Sequence, residues 1–273
     1  MSRDSVLIEA DELLTRLGAD NLRIFDATIL FFRTETDPAT AYQQYLQGHI
    51  PGAAFFDHQG LSDRHSEYEY MLLPQAELVT QIGQLGISQD TEVILYAVGV
   101  LPAATRAWWI LRYAGHTNVR VLNGGLAAWV KAGGELELEA RQYDATQFVG
   151  QFRPGMFANK EDVLKAMGDA SVCIEYTLPL EMYGGAHIPG STFISAMGLM
   201  QGMDALVTDD AVVSRLKEGA RFERIITYRG GGIAATVNAM AHLIAGHENV
   251  SVYDGSLLEW MGEGLPLAES RSA

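Results

Sequence analysis

Short apolar, β-branched runs alternate with stretches of helical spacing along the whole chain, and the alternation is read twice. RIFDAT (23–28), EVILYA (92–97) and VRVLN (119–123) fall in the first half, and SVCIEYT (171–177), RIITY (224–228) and VSVYDG (250–255) in the second. Such runs, separated by helix-length segments, predict a parallel sheet with helices on both faces, because a parallel neighbour is reached only through a crossover. After RIITY, Ile233, Val237, Met240, Ala241 and Ile244 recur at the spacing of one helical face, so a helix is predicted to follow that strand.

The two readings belong to one repeat. AGHTNVRVLNGGLAAW (114–129) returns as AGHENVSVYDGSLLEW (245–260), with nine of sixteen positions identical at an offset of 131. GHIPGA (48–53) returns in the same order as AHIPGS (186–191), so the repeating unit is a whole domain and not a solenoid module. From about Gly133 to Lys160 the pattern loses its period and contains Arg153-Pro154-Gly155, as a linker does. The prediction is two α/β domains, 1–150 and 151–273, the start of the linker belonging to the first.

Composition narrows the chemistry. With 48% apolar residues in 273, the chain fills two ordinary cores. The balance of 19 Lys+Arg against 34 Asp+Glu gives a formal charge of -15 without a basic run, which speaks against a nucleic-acid partner. No apolar stretch reaches the roughly 18 residues of a membrane span, and the opening MSRDSVLIEADELL mixes charges throughout. A soluble, cytoplasmic protein with no membrane partner is expected. The single cysteine, Cys173, excludes an intrachain disulfide and a multi-cysteine metal site. No H-E-x-x-H or C-x-x-C spacing occurs, and no G-x-G-x-x-G follows a strand, so no metal and no cofactor are expected.

Several segments are more specific. The GHIPGA-type turns, LSDRHSEYEYMLLP (61–74), WWILRYAGH (108–116), LNGGLAAW (122–129) and YDGSLLEW (253–260) occur in an order that resembles the tandem-domain rhodanese family of thiosulfate and 3-mercaptopyruvate sulfurtransferases. The resemblance spans nearly the whole chain. It implies two tandem rhodanese-like domains, with the active pocket in the interdomain cleft and its key loop contributed by the second domain.

That loop reads Tyr228-Arg229-Gly230-Gly231-Gly232-Ile233-Ala234. Glycines let successive N–H groups turn to one centre and the following helix adds the positive end of its dipole, so the loop stabilises an anion. In the family that anion is a cysteine thiolate and then a persulfide, and the resemblance puts Arg229 at the cysteine's position. A guanidinium carries no lone pair for attack and cannot hold a sulfane atom. Cys173, inside the apolar run SVCIEY, reads as a buried structural thiol. In the first domain Ala97 stands opposite Arg229.

The resemblance also implies roles elsewhere. Asp63 matches an aspartate that faces the active loop and is a candidate partner for Arg229. Glu175 matches the strand-end acid and is either a hydrogen-bond anchor or a general acid/base. The stretch Tyr183 to His187 lacks the basic residues that relatives use to hold the substrate. His58, His65, Tyr68 and Tyr70 lie in segments that border the cleft and are rim or ligand-binding candidates. The recurring pairs His49/His187 and His116/His247, and Trp108, Trp109, Trp129 and Trp260, read as structural.

The candidate site is therefore Arg229, Asp63 and Glu175 for chemistry, and Arg229, Gly230, Gly231, Gly232, Ile233, His58 and His65 for a ligand. Three functions stay open: a pocket repurposed for a small anionic or polar molecule or for thiol-independent catalysis, a pseudoenzyme scaffold with a protein partner, and a sulfurtransferase silenced by a natural or engineered Cys-to-Arg change.

Overall fold

The six β-branched runs are the central strands of two sheets. A computed structural model describes residues 1–31, 40–179 and 185–269. The first half contains β1 (Leu7–Ile8), α1 (Ala10–Leu14), β2 (Leu22–Asp26), α2 (Ala41–Tyr45), β3 (Ala54–Phe55), α3 (Gln75–Gln84), β4 (Glu92–Tyr96), α4 (Leu101–Tyr113), β5 (Val119–Leu122) and α5 (Gly125–Lys131). The second contains β6 (Phe157–Ala158), α6 (Lys160–Ala166), β7 (Val172–Tyr176), β8 (Ala186–His187), β9 (Thr192–Phe193), β10 (Met200–Gln201) and β11 (Ala205–Leu206). It continues with α7 (Asp209–Leu216), β12 (Arg224–Tyr228), α8 (Ala235–Ile244), β13 (Val250–Tyr253), α9 (Ser256–Gly262) and β14 (Ala268–Glu269).

The large sheets run β1-β5-β4-β2-β3 and β6-β13-β12-β7-β9, and every neighbouring pair in them is parallel. Both have the α/β architecture expected of a duplicated domain. Helix α8 starts two residues later than the apolar spacing suggested, because Gly232 takes φ +67° and the first turn bonds Thr236 N to Ile233 O and Val237 N to Ala234 O.

One core joins the halves. Residues Leu101 to Leu111 of α4 are all buried, since the helix lies between its own sheet and α8. Thr105 and Thr236, 131 positions apart, touch through their hydroxyls at 2.7 Å, so the sequence offset is also the relation across the interface. The four tryptophans are fully buried, as packing requires.

Each half also sends an arm to the other. Leu206 N, in the β10–β11 hairpin, donates to Asn123 Oδ1, and Leu72 N donates to Asp254 Oδ2, both at 2.9 Å. Asn123 and Asp254 are equivalent positions of the repeat. The stretch after Gly133 is strapped to the first half, through His49 N to Glu137 O, Thr146 N to Gly83 O, Gln151 N to Ala114 O and Arg153 N to Tyr113 O. Gly115 makes this fit possible, with φ +98° and space so tight that a Cβ would lie 2.4 Å from Gln151 O.

Candidate functional site at the Arg229 loop

β12 ends at Tyr228, and the chain turns through Arg229 to Ala234 before α8 begins. Leu257 N donates to Arg229 O at 2.7 Å and Leu126 N to Ala97 O at 3.2 Å, which makes Arg229 and Ala97 equivalent in space. The second-half loop is gripped further: Leu258 N donates to Gly230 O, and Arg229 N to Ser256 Oγ, which itself donates to Tyr253 O. Gly232 is required by its positive φ and by Asp254 O, which would lie 2.5 Å from a Cβ.

The backbone amides of Gly230, Gly231, Gly232, Ile233 and Ala234 donate to no acceptor among the described residues. Gly230, Gly232, Ile233 and Ala234 are buried, while Arg229 and Gly231 are half-buried. Buried amides are almost always bonded, and four of these five are buried at the start of a helix.

The other candidates are dispersed. Asp63 accepts the N–H of His65 at 2.9 Å in a local turn, and His65 is exposed. Their arm lies on the second half, where the Tyr68 hydroxyl would meet a Cβ at Gly262. His58 is buried with Nε2 3.0 Å from Ala27 O, and it lines a cavity of about 910 Å3 in the first half together with Tyr42, Asp57, Tyr70, Arg141 and Tyr143. His49 and His187 bond nearby carbonyls, of Tyr45 and Gly185.

Glu175 is 1% exposed beneath α8, with Oε1 accepting from Asn238 Nδ2 at 2.7 Å and Oε2 2.9 Å from His242 Nε2. The internal repeat corrects its assignment as the strand-end acid. Ala27 N and Thr177 N donate to Tyr96 O and Tyr228 O, and Asp26 and Tyr176 are in register with those same tyrosines. Tyr176 thus occupies the place of Asp26, and Glu175 that of Phe25, so its carboxylate is an anchor under the helix. His242 and Asn238 were not singled out from sequence; two large polar residues four apart on a mostly apolar helix were the available signal.

Matches to the rhodanese-like domain cover residues 9–132 and 159–263. The chain belongs to the rhodanese-like family. It is 31% identical over 265 residues to the 3-mercaptopyruvate sulfurtransferase of Escherichia coli (strain K12), covering 93% of this chain and 94% of that one. The thiosulfate sulfurtransferase of Gallus gallus is 31% identical over 268 residues, covering 92% and 90%. The crystal structure of SseA from Escherichia coli superposes with a TM-score of 0.82 at 30% identity, covering 94% of this chain and 99% of that one.

In this rhodanese-like chain the lone thiol is buried in β7, 3.1 Å from Thr192 Oγ1, and burial pushes Cys173 up to about 11. It is protonated at neutral pH and a poor nucleophile. Among the described residues no cluster fit to hold a metal occurs, and no helix is long and apolar enough to cross a membrane.

Ser256 offers a direct check on how the loop is held, because it adopts φ +52° where the first half has glycine at φ +53°. Ser256→Ala keeps the strain and loses both hydrogen bonds, and is expected to cost about 1–2 kcal/mol in urea denaturation. Ser256→Gly is expected to cost less, since glycine adopts positive φ freely.

Proposed function

We propose that the Arg229 loop binds a small anion and that the protein does not carry sulfur as a persulfide there. The run of five unbonded amides from Gly230 to Ala234 carries this reading. The permanently charged Arg229, at the position the family resemblance gives to cysteine, supplies positive charge and no nucleophile. The relatives' names make thiosulfate and 3-mercaptopyruvate the first anions to try. In a thiol-independent reaction Arg229 would stabilise developing negative charge, while Glu175 is consumed under α8 and Asp63 is held in a local turn with His65.

Thermal unfolding with thiosulfate, sulfate, phosphate and 2-keto acids tests this reading. An anion held at a hundredfold excess over its Kd is expected to raise Tm by roughly 5 °C or more. Arg229→Ala should reduce the shift; an unchanged shift in that variant, or no shift with any anion, would sink the reading.

The near full-length likeness to sulfurtransferases favours one competing reading, a sulfurtransferase lacking only its thiol. Arg229→Cys decides between them. A thiolate there would take the outer sulfur of thiosulfate, release sulfite and pass the sulfur to cyanide as thiocyanate. Thiocyanate formation by Arg229→Cys favours simple loss of the thiol, and continued inactivity favours a rebuilt pocket.

A further inference from the structure

At the C-terminal ends of α4 and α8, the end of α8 opposite the Arg229 loop, lies a second hollow of about 340 Å3. Trp109, Arg112, Arg153, Met156, His247 and Glu248 contribute to its lining. Arg112 and Arg153 are near enough to repel each other: burial first, and the charge of Arg153 second, bring Arg112 down to about 10. Among the described residues neither guanidinium meets a carboxylate. Arg112 Nη1 donates to Thr117 O, Nη2 approaches Met1 Sδ, and the buried Nε has no acceptor. Glu248, the one acid in the lining, pairs with neither, and in a chain of charge -15 two neighbouring arginines left so call for an external anion.

His247 ties this hollow to the core. Its Nδ1 is 2.8 Å from His242 Nδ1, and His242 Nε2 is 2.9 Å from Glu175 Oε2. The ring rests on Gly219, where a Cβ would lie 2.7 Å from His247 Cε1. A carboxylate accepts only, so His242 Nε2 carries a proton and its Nδ1 is bare in the neutral pair. His247 Nδ1 then donates, which leaves His247 Nε2 a bare acceptor. To hold an anion, Nε2 must gain a proton, and the pair then carries one positive charge backed by Glu175.

We propose that this hollow is a binding site for a small oxyanion, clamped by Arg112 and Arg153 and coupled through His247 to the uptake of one proton. Burial, and then His242, hold His247 below the ordinary histidine range in the empty protein, so binding that protonates it strengthens as pH falls. The other charged groups around it are Glu248 on the rim, the Met1 amine on Leu243 O, and Glu218 and Arg221, which pair with each other beside Gly219. The site is independent of the anion reading at the Arg229 loop.

Sulfate is the suitable probe, because its charge is constant from pH 5.5 to about 8. Calorimetric titration of the full chain and of Arg229→Ala, in buffers of different ionisation enthalpy, is expected to show binding about tenfold tighter at the lower pH with uptake of one proton, in both proteins. Arg153→Gln, whose guanidinium donates to no described residue, should fold normally and bind roughly tenfold or more weakly. His247→Gln should retain binding and lose its pH dependence and proton uptake. Sulfate binding unchanged by Arg153→Gln, abolished by Arg229→Ala, or free of proton uptake in the full chain overturns the proposal.

Discussion

Arg106→Leu is expected to lower the unfolding free energy by about 3–5 kcal/mol, the cost of leaving a buried charge without its partner. Arg106 is 1% exposed on α4, and its Nη2 donates to Asp254 Oδ1 at 2.6 Å and to Tyr70 O at 2.7 Å. Its guanidinium also lies 5.1 Å from the Phe157 ring centroid. Asp254 holds the Leu72 amide on its other oxygen, and its carbonyl abuts Gly232. One ion pair thus links α4, the first-half arm and the segment beneath the Arg229 loop. Leucine fills much of the space but leaves the Asp254 carboxylate and Tyr70 O to be solvated in a dry interface. Urea denaturation followed by tryptophan fluorescence measures the loss, and a cycle with Asp254→Asn tests the coupling. If the two single costs add to within about 0.5 kcal/mol, the residues do not act as a pair.

Acid stability should depend on His58 to a similar extent. Burial first, and the neighbouring charge of Arg106 second, bring His58 down to about 3. A depressed histidine is neutral in the fold and titrates normally when unfolded, so its contribution is complete above about pH 6.5 and is lost as pH falls towards 3. The slope approaches about 1.4 kcal/mol per pH unit, and the total is of order 4 kcal/mol. His116, also lowered by burial, adds in the same direction. Asp26, raised by burial, acts oppositely: its contribution is present at low pH and lost as pH rises through its folded value. The difference between the native chain and His58→Gln isolates the histidine, since both sequences share every other group. Parallel stability curves for the two between pH 6.5 and 4 would rule the assignment out, and Arg106→Leu should make the difference shallower.

Much of this was legible in sequence because it rests on local pattern and repetition. The six strands show as β-branched runs, the duplication as a constant offset, and the Arg229 loop as glycines between a strand and a helix. The two-residue edge strands β1, β3, β6 and β9 were not legible, since so short a segment has no period and pairs only because a sheet edge is already present. The linker read as featureless for the same reason: its order comes from carbonyls and amides of the first half.

The candidate site divides along the same line. The glycine at 232 is dictated by chain geometry and was visible as a residue type. Glu175 was misplaced by one position, because a strand turns alternate side chains to opposite faces and only the register with β12 says which face its carboxylate takes. That face is under α8, where Asn238 and His242, some sixty residues later, satisfy it. His58 and His65 share a segment yet differ completely in burial.

By itself, then, the sequence determined the two α/β domains, their family and the glycine-rich Arg229 loop between a strand and a helix, because these depend on backbone conformation and on spacing along the chain. Tertiary structure alone decided which polar groups meet: Arg106 with Asp254, Glu175 with His242 and His247, and Arg112 beside Arg153. Those encounters join residues far apart in the chain, and burial and the low dielectric of the interior, which no local pattern encodes, set their strength.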